Sequence, residues 1–169
     1  RAPRGASSLG RLRASFYRAH ARLAVLSVLL DVVFFRGAPR ATMVALVVVH
    51  AGLFAVILPL GLKHLALVRA PDGTPYGRFV SPNVLTIARV LAIPPVVFGV
   101  FHLDLPWVRA GVAVTFTVSA LSDLFDGLIG RAFARTSDFG RVIDPLADGL
   151  FYSAVGAALL FAGYLPLWY

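Results

Sequence analysis

The chain has 169 residues, 59% of them hydrophobic, with mean hydropathy +0.82 and a net charge of +8. Its apolar residues fall in long runs, which excludes an ordinary water-soluble domain and points to a membrane-embedded chain. There is no cysteine, so disulfides and thiol chemistry are excluded. Lys63 is the single lysine, and every acid is an aspartate. The arginines sit at the ends of apolar runs and form no separate basic domain. They therefore read as contacts to anionic headgroups, and nucleic acid is not an expected partner.

In chain order, residues 1–20 carry five arginines (1, 4, 11, 13 and 18) interleaved with Leu12, Phe16 and Tyr17. They read either as an interfacial amphipathic helix or as a solvated basic arm. No small-residue cleavage site follows, so this is not a signal peptide. Residues 23–35 form an apolar run that is short against the roughly 20 residues a span needs, and Asp31 interrupts it. Residues 36–40, RGAPR, are a turn. Residues 41–62 make a full span containing His50 and Pro59. Residues 63–81 are rich in Pro, Gly and basic side chains and read as a loop. Three further spans are expected at 82–103, 107–130 and 143–165. A turn around 104–106 and a basic loop at 131–141 would connect them.

Arginine bias sets the orientation. Arg1 to Arg22 precede the first run, Lys63, Arg69 and Arg78 fill the second loop on that side, and Arg131, Arg135 and Arg141 fill the third. The alternate loops hold Arg36 with Arg40, or Arg109 alone. The N-terminus and the loop at 131–141 are thus expected at the cytoplasmic face of the cytoplasmic (inner) membrane. The chain lacks an initiator Met and stops at the end of an apolar run, and it is expected to be a piece of a longer protein.

The segment from Ser122 to Gly149 puts Asp123, Asp126, Asp144 and Asp148 inside otherwise lipid-compatible helix. A carboxylate at mid-membrane costs about 2.5–3.5 kcal/mol on insertion scales, so four need a reason. The pairs are spaced i,i+3 and i,i+4, and each spacing puts both side chains on one helix face. Two such helices face to face gather four oxygen donors. A hard divalent cation would neutralise them, Mg²⁺, Mn²⁺ or Ca²⁺.

Written out, the cluster is Asp123-x2-Asp126-Gly127-x2-Gly130-Arg131-x8-Gly140-x3-Asp144-x3-Asp148. It resembles the signature of the CDP-alcohol phosphotransferases, D-x2-D-G-x2-A-R-x8-G-x3-D-x3-D, departing at Gly130, where the family has Ala. Residues 81–94, SPNVLTIARVLAIP, resemble the P-N-x-L-T-x2-R-x4-P opening of the first core helix in phosphatidylglycerophosphate synthases. Phe139-Gly140 and Asp144-Pro145-x-Ala147-Asp148 resemble that subfamily too, although Gly149 stands where Lys is usual.

The resemblance implies an all-α polytopic membrane helix bundle. Residues 66–169 would be the catalytic region, with the first three of six core spans. Residues 1–65 would be a basic arm with accessory hydrophobic helices ahead of that region. It implies transfer of a phosphatidyl group from a CDP-linked lipid to an acceptor alcohol, with CMP leaving. Glycerol 3-phosphate is the expected acceptor; inositol phosphate, serine, phosphatidylglycerol, choline and ethanolamine are the alternatives. It implies a two-metal Mg²⁺ or Mn²⁺ site on Asp123, Asp126, Asp144 and Asp148, with Asp148 also the general base, and a homodimer.

Gly127 and Gly140 would leave room for the cytidine, or serve helix packing instead. Arg131 suits the diphosphate as a bidentate donor or acts as a membrane anchor. Asn83 either caps its helix or touches substrate. Arg89, an intramembrane arginine, is a candidate for the acceptor phosphate, with snorkelling as the rival reading. Arg135 and Arg141 are further candidates for that phosphate or plain topology arginines. A competing class is a non-catalytic divalent-cation-binding or transport protein. Transport requires polar residues across the whole membrane, and below the cluster the helices are apolar. Asp31 and His50 are placed to pair across neighbouring runs, and Asp138 is expected in a solvated loop.

Overall fold

The computed structural model describes residues 4–70, 72–74, 76–79, 81–133 and 137–166; at 4–8, 81 and 123–133 it describes the backbone alone. Five helices follow one another: α1 (Arg4–Phe34), α2 (Arg40–Lys63), α3 (Ser81–Val100), α4 (Pro106–Phe133) and α5 (Asp138–Phe161). Among the described residues there is no β-strand. The expected polytopic membrane helix bundle is what is found. α2, α3 and α5 are long and apolar enough to cross a membrane on their described residues.

Three boundaries differ from the sequence reading by four residues or more. Residues 1–20 and 23–35 are not separate pieces. They join into one helix of 31 residues, because no Pro or Gly interrupts the Ala, Leu and Arg residues between Gly10 and Phe34. α5 starts at Asp138 instead of 143. Ser137 is its N-cap and accepts a hydrogen bond from the Gly140 N–H at 3.0 Å. Asp138 is therefore a first-turn residue, not part of a solvated loop, and its carboxylate pairs with Arg69 at 2.8 Å. At the other end α5 stops at Phe161, ahead of 165. Gly163 takes φ 79°, its N–H reaches the Leu160 carbonyl, and the Tyr164 N–H reaches the Leu159 carbonyl. That six-to-one and five-to-two pair is a Schellman stop, and a left-handed residue there favours glycine.

α3 is the hub and packs on each of the other four helices. Half of its apolar window is buried, against 11% for α2 and 22% for α5. The span that carries Asn83, Thr86 and Arg89 is thus the one most shielded from lipid. α3 runs parallel to α5 and to α1, while α2 and α4 run the other way. Phe16, Phe79, Phe139 and Leu65 form a core where α1, the loop before α3 and α5 begin. Phe16 lies over Gly61, where any Cβ would collide with its ring. Phe35, Leu46 and Val108 close the opposite end. Arg36 stacks there on Trp107 at 3.4 Å, a cation–π contact at the side expected to be outer.

Two prolines in α3 shape its surroundings. Pro95 has no N–H to give to the Leu91 carbonyl four residues earlier. His50 of α2 supplies the missing donor through Nε2, at 2.9 Å. Its Nδ1 lies 2.8 Å from Asp31 of α1, and both side chains are 3% exposed. The Asp31–His50 contact is close in distance but lacks hydrogen-bond alignment. Asp31 and His50 therefore do pair across neighbouring helices, and they fasten α1 and α2 to α3.

Candidate active site at the α3–α5 face

Asn83, Thr86 and Arg89 recur every three residues and share one face of α3. Gly140, Asp144 and Asp148 recur every four residues on α5, and the two stripes meet. Because the helices are parallel, they pair rung by rung. At the helix starts, the Ser137 hydroxyl donates to Asn83 Oδ1 at 2.9 Å while accepting from Gly140 N–H. One turn deeper the Thr86 hydroxyl reaches both Asp144 Oδ1 and, at 3.1 Å, the Pro82 carbonyl. One turn deeper again, Arg89 Nη1 donates to Asp148 Oδ1 and Nη2 lies 3.4 Å from the Ser122 hydroxyl of α4. At 1.5 Å per residue, Asp144 and Asp148 lie about 9 and 15 Å along the axis from the start of α5.

Burial sharpens the picture. Asn83 is 1% exposed, Thr86 2% and Arg89 4%, whereas the Asp148 side chain keeps 27% of its surface. The polar face of α3 is sealed and the carboxylate opposite remains accessible. Asn83 Nδ2 is buried with no hydrogen-bond partner. A buried amide donor left unmade costs about 1–3 kcal/mol, so an oxygen acceptor from a ligand would relieve it. Gly140 is tightly surrounded: a Cβ there would lie 3.1 Å from both Asn83 Oδ1 and Asp144 Oδ2. The space beside Gly140 is thus taken by these two side chains.

The structure brings together Asn83, Arg89, Gly140, Asp144 and Asp148. Arg141 is apart from them: its side chain is 65% exposed and lies 3.7 Å from Asp138. Asp123, Asp126, Gly127 and Arg131 fall on the helical backbone of α4, but their side chains lie outside the described residues, as does the whole of Arg135. Among the described residues no three His, Asp or Glu side chains form a metal-sized group. The two described carboxylates do fit a hard divalent ion in donor chemistry: both are oxygen ligands, and Thr86 holds Asp144 by a hydrogen bond of the kind that orients a ligand.

Sequence reasoning missed Thr86, Ser122 and Ser137. Ser137 had a signal, a Ser followed by an acid and then an apolar run, which marks a helix start. Thr86 lies midway between Asn83 and Arg89 on the same stripe, and that spacing was a usable signal. Ser122 carried none beyond being polar beside Asp123.

Residues 79–169 match the family model described as CDP-alcohol phosphatidyltransferase. The chain belongs to the CDP-alcohol phosphatidyltransferase family. It is 39% identical over 79 residues to a CDP-diacylglycerol--glycerol-3-phosphate 3-phosphatidyltransferase of Rickettsia bellii, covering 47% of this chain and 43% of that protein. It is 35% identical over 91 residues to the protein of the same name from Escherichia coli K12, covering 54% of this chain and 49% of that one. A CMP-forming cardiolipin synthase of Oryza sativa is 35% identical over 85 residues, covering 50% of this chain and 26% of its own length. The chain thus spans less than half the length of each of these relatives. No solved structure matches.

Proposed function

We propose that the protein transfers the phosphatidyl group of CDP-diacylglycerol to glycerol 3-phosphate, forming phosphatidylglycerophosphate and releasing CMP. The observation that carries this reading is the α3–α5 ladder. It gathers, at one buried face, the residues of two separate motifs that resemble phosphatidylglycerophosphate synthases, Asn83 to Arg89 and Gly140 to Asp148. The names of the bacterial relatives support the acceptor.

In this reading a bond forms between the acceptor hydroxyl oxygen and the phosphorus that bears the lipid, and the bond from that phosphorus to CMP breaks. The hydroxyl proton goes to Asp148. Arg89 orients that carboxylate through one oxygen, which leaves the other to accept. Asp123, Asp126, Asp144 and Asp148 would hold Mg²⁺ or Mn²⁺, which supplies neutralisation of the diphosphate charge when bound. Asn83 offers its unpaired amide to a phosphate or base oxygen, Arg131 would bind the diphosphate, and Gly127 would leave room for the nucleotide, whereas Gly140 makes room for Asn83 and Asp144. Arg89 would supply positive charge toward the acceptor phosphate, with Arg135 the further candidate, while Arg141 stands apart beside Asp138. The active site faces the cytoplasm, and the working unit is a homodimer.

The rice relative favours one second reading, in which phosphatidylglycerol is the acceptor. The test is CMP release from CDP-diacylglycerol by the full-length protein in micelles with Mg²⁺ or Mn²⁺, across a panel of acceptor alcohols. Release that depends on glycerol 3-phosphate supports the proposal. Release that depends on phosphatidylglycerol alone replaces it with the second reading. No release with any acceptor from folded, metal-loaded protein sinks both.

A further inference from the structure

On the side of α3 turned away from α5, a cavity of about 1080 Å³ opens between α1 and the segment entering α3. Its rim holds three exposed guanidinium groups, Arg18 and Arg22 one turn apart on α1, and Arg78 just ahead of α3. Among the described residues none of the three has a carboxylate partner. They are held as a group: the Phe79 N–H donates to Ser15 Oγ at 3.1 Å, and the Phe16 and Phe79 rings meet edge to face at 5.0 Å. Three like charges fixed around one hollow repel one another unless an anion joins them.

The floor of this cavity is apolar. Leu23, Leu26 and Leu85 line it, and the same three residues line a second cavity of about 310 Å³ that continues between α1, α3 and α4 as far as Asp31 and Phe34 and borders Arg89 and Ser122 on its α3–α4 side. From Leu23 to Phe34 is about 16 Å along a helix axis, close to half of a ~30 Å hydrocarbon core. The arginines sit where the apolar part of α1 begins, at headgroup level. The hollow is therefore cationic where a lipid phosphate would lie and apolar over the length of one leaflet beneath it.

We propose that this groove binds one anionic glycerophospholipid, with its phosphate on Arg18, Arg22 and Arg78 and an acyl chain between α1, α3 and α4. The charge of the rim and the continuity of the two cavities commit it to a lipid and not to a free phosphate. The site lies outside the matched family region on its α1 side, since that region begins at Phe79. It gives the accessory N-terminal helix a task, that of fixing the catalytic helix α3 to the membrane through a bound lipid. Its inner end borders Arg89 and Ser122 of the candidate active site, so displacement by CDP-diacylglycerol is the result that separates a dedicated lipid from the substrate itself.

The experiment is native mass spectrometry on the full chain, delipidated in detergent and titrated with phosphatidylglycerol or phosphatidylcholine of identical chains. Phosphatidylglycerol should be retained as one tight adduct at least ten-fold more strongly than phosphatidylcholine. The Arg18→Gln/Arg22→Gln variant, whose changes are both at exposed positions, should lose that preference. Leu85→Trp, which fills the groove and leaves the charges, should weaken the adduct comparably. Equal retention of the two lipids, an unchanged preference in the arginine variant, displacement by millimolar inorganic phosphate, or displacement by stoichiometric CDP-diacylglycerol would each overturn the assignment. The lipid comparison on the unaltered chain decides the matter even where a variant fails to fold.

Discussion

Arg89 and Asp148 pair across the α3–α5 interface midway along both helices, with the guanidinium 3% and the carboxylate 27% exposed. Neither belongs to a lipid-compatible helix alone, and each is the other's counter-ion. Snorkelling, the rival explanation for an arginine inside a span, is not what α3 shows. The Arg89 side chain turns inward to a carboxylate and a serine. Arg89→Met should therefore do two things. It leaves a part-buried carboxylate without its partner, a loss of about 2–3 kcal/mol, discounted from the 3–5 typical of fully buried pairs because Asp148 is partly exposed. It should also lower turnover with glycerol 3-phosphate by roughly 100-fold or more, since in the proposed reaction one charge-assisted contact would both orient the base and meet the acceptor. Thermal unfolding and CMP release read the two effects separately. Activity at the parental level would remove Arg89 from the site.

Thr86 acts on Asp144 through one hydroxyl. Thr86→Val keeps the shape and removes the donor. Supporting contacts of this kind are worth roughly 10–100-fold in metal affinity. The variant should need about ten-fold more Mg²⁺ for half-maximal activity, with maximal turnover reduced less. Asp144→Asn should abolish metal-dependent turnover altogether while membrane insertion is retained. A magnesium titration of all three proteins checks both. An unchanged midpoint for Thr86→Val would mean that the hydroxyl serves only the Pro82 carbonyl.

The helices from residue 41 onward were legible because a long apolar run has few alternatives, and α2 departs from its expected limits by a single residue at each end. The ends of α5 were not, since its cap residue Ser137 and its stop at Gly163 act through local hydrogen bonds that hydropathy does not see. The continuity of α1 was hidden for a similar reason: its change from basic to apolar looked like a boundary although no helix breaker lies there. Within the site, the stripe on α5 was readable from carboxylate spacing. That Arg89 faces Asp148 was not readable, because it depends on α3 and α5 being parallel and in register, which only packing fixes.

Gly140 and Gly156 offer a matched pair on α5. A Cβ at Gly140 would press on Asn83 and Asp144 at 3.1 Å, whereas at Gly156 nothing lies within 4 Å. Gly140→Ala should destabilise by about 1–3 kcal/mol through overpacking and should also depress activity, since the displaced atoms belong to the site. Gly156→Ala should stabilise by about 0.5–1 kcal/mol by removing backbone freedom from a helix interior. Melting curves under identical detergent conditions test the sign difference. Equal effects would show that α3 and α5 pack less closely at Gly140 than these distances require.

Asp31 and His50 test whether the accessory helices are structurally coupled to α3. His50→Ala removes the partner of a carboxylate that is 3% exposed and also strips the Leu91 carbonyl of the donor that Pro95 cannot supply. The expected cost is about 3–5 kcal/mol, because an uncompensated charge is left buried. Replacing both residues together, Asp31→Leu with His50→Leu, should recover most of that loss. The recovery will be incomplete, as the Leu91 carbonyl stays unpaired in either case, a deficit of about 1–3 kcal/mol. A double-mutant cycle on thermal unfolding isolates the pair from the carbonyl. Additive effects of the two single changes would mean that α1 and α2 meet at Asp31 and His50 without depending on each other. A large coupling would make the pair the fastening that carries α1, and with it Arg18 and Arg22, against α3.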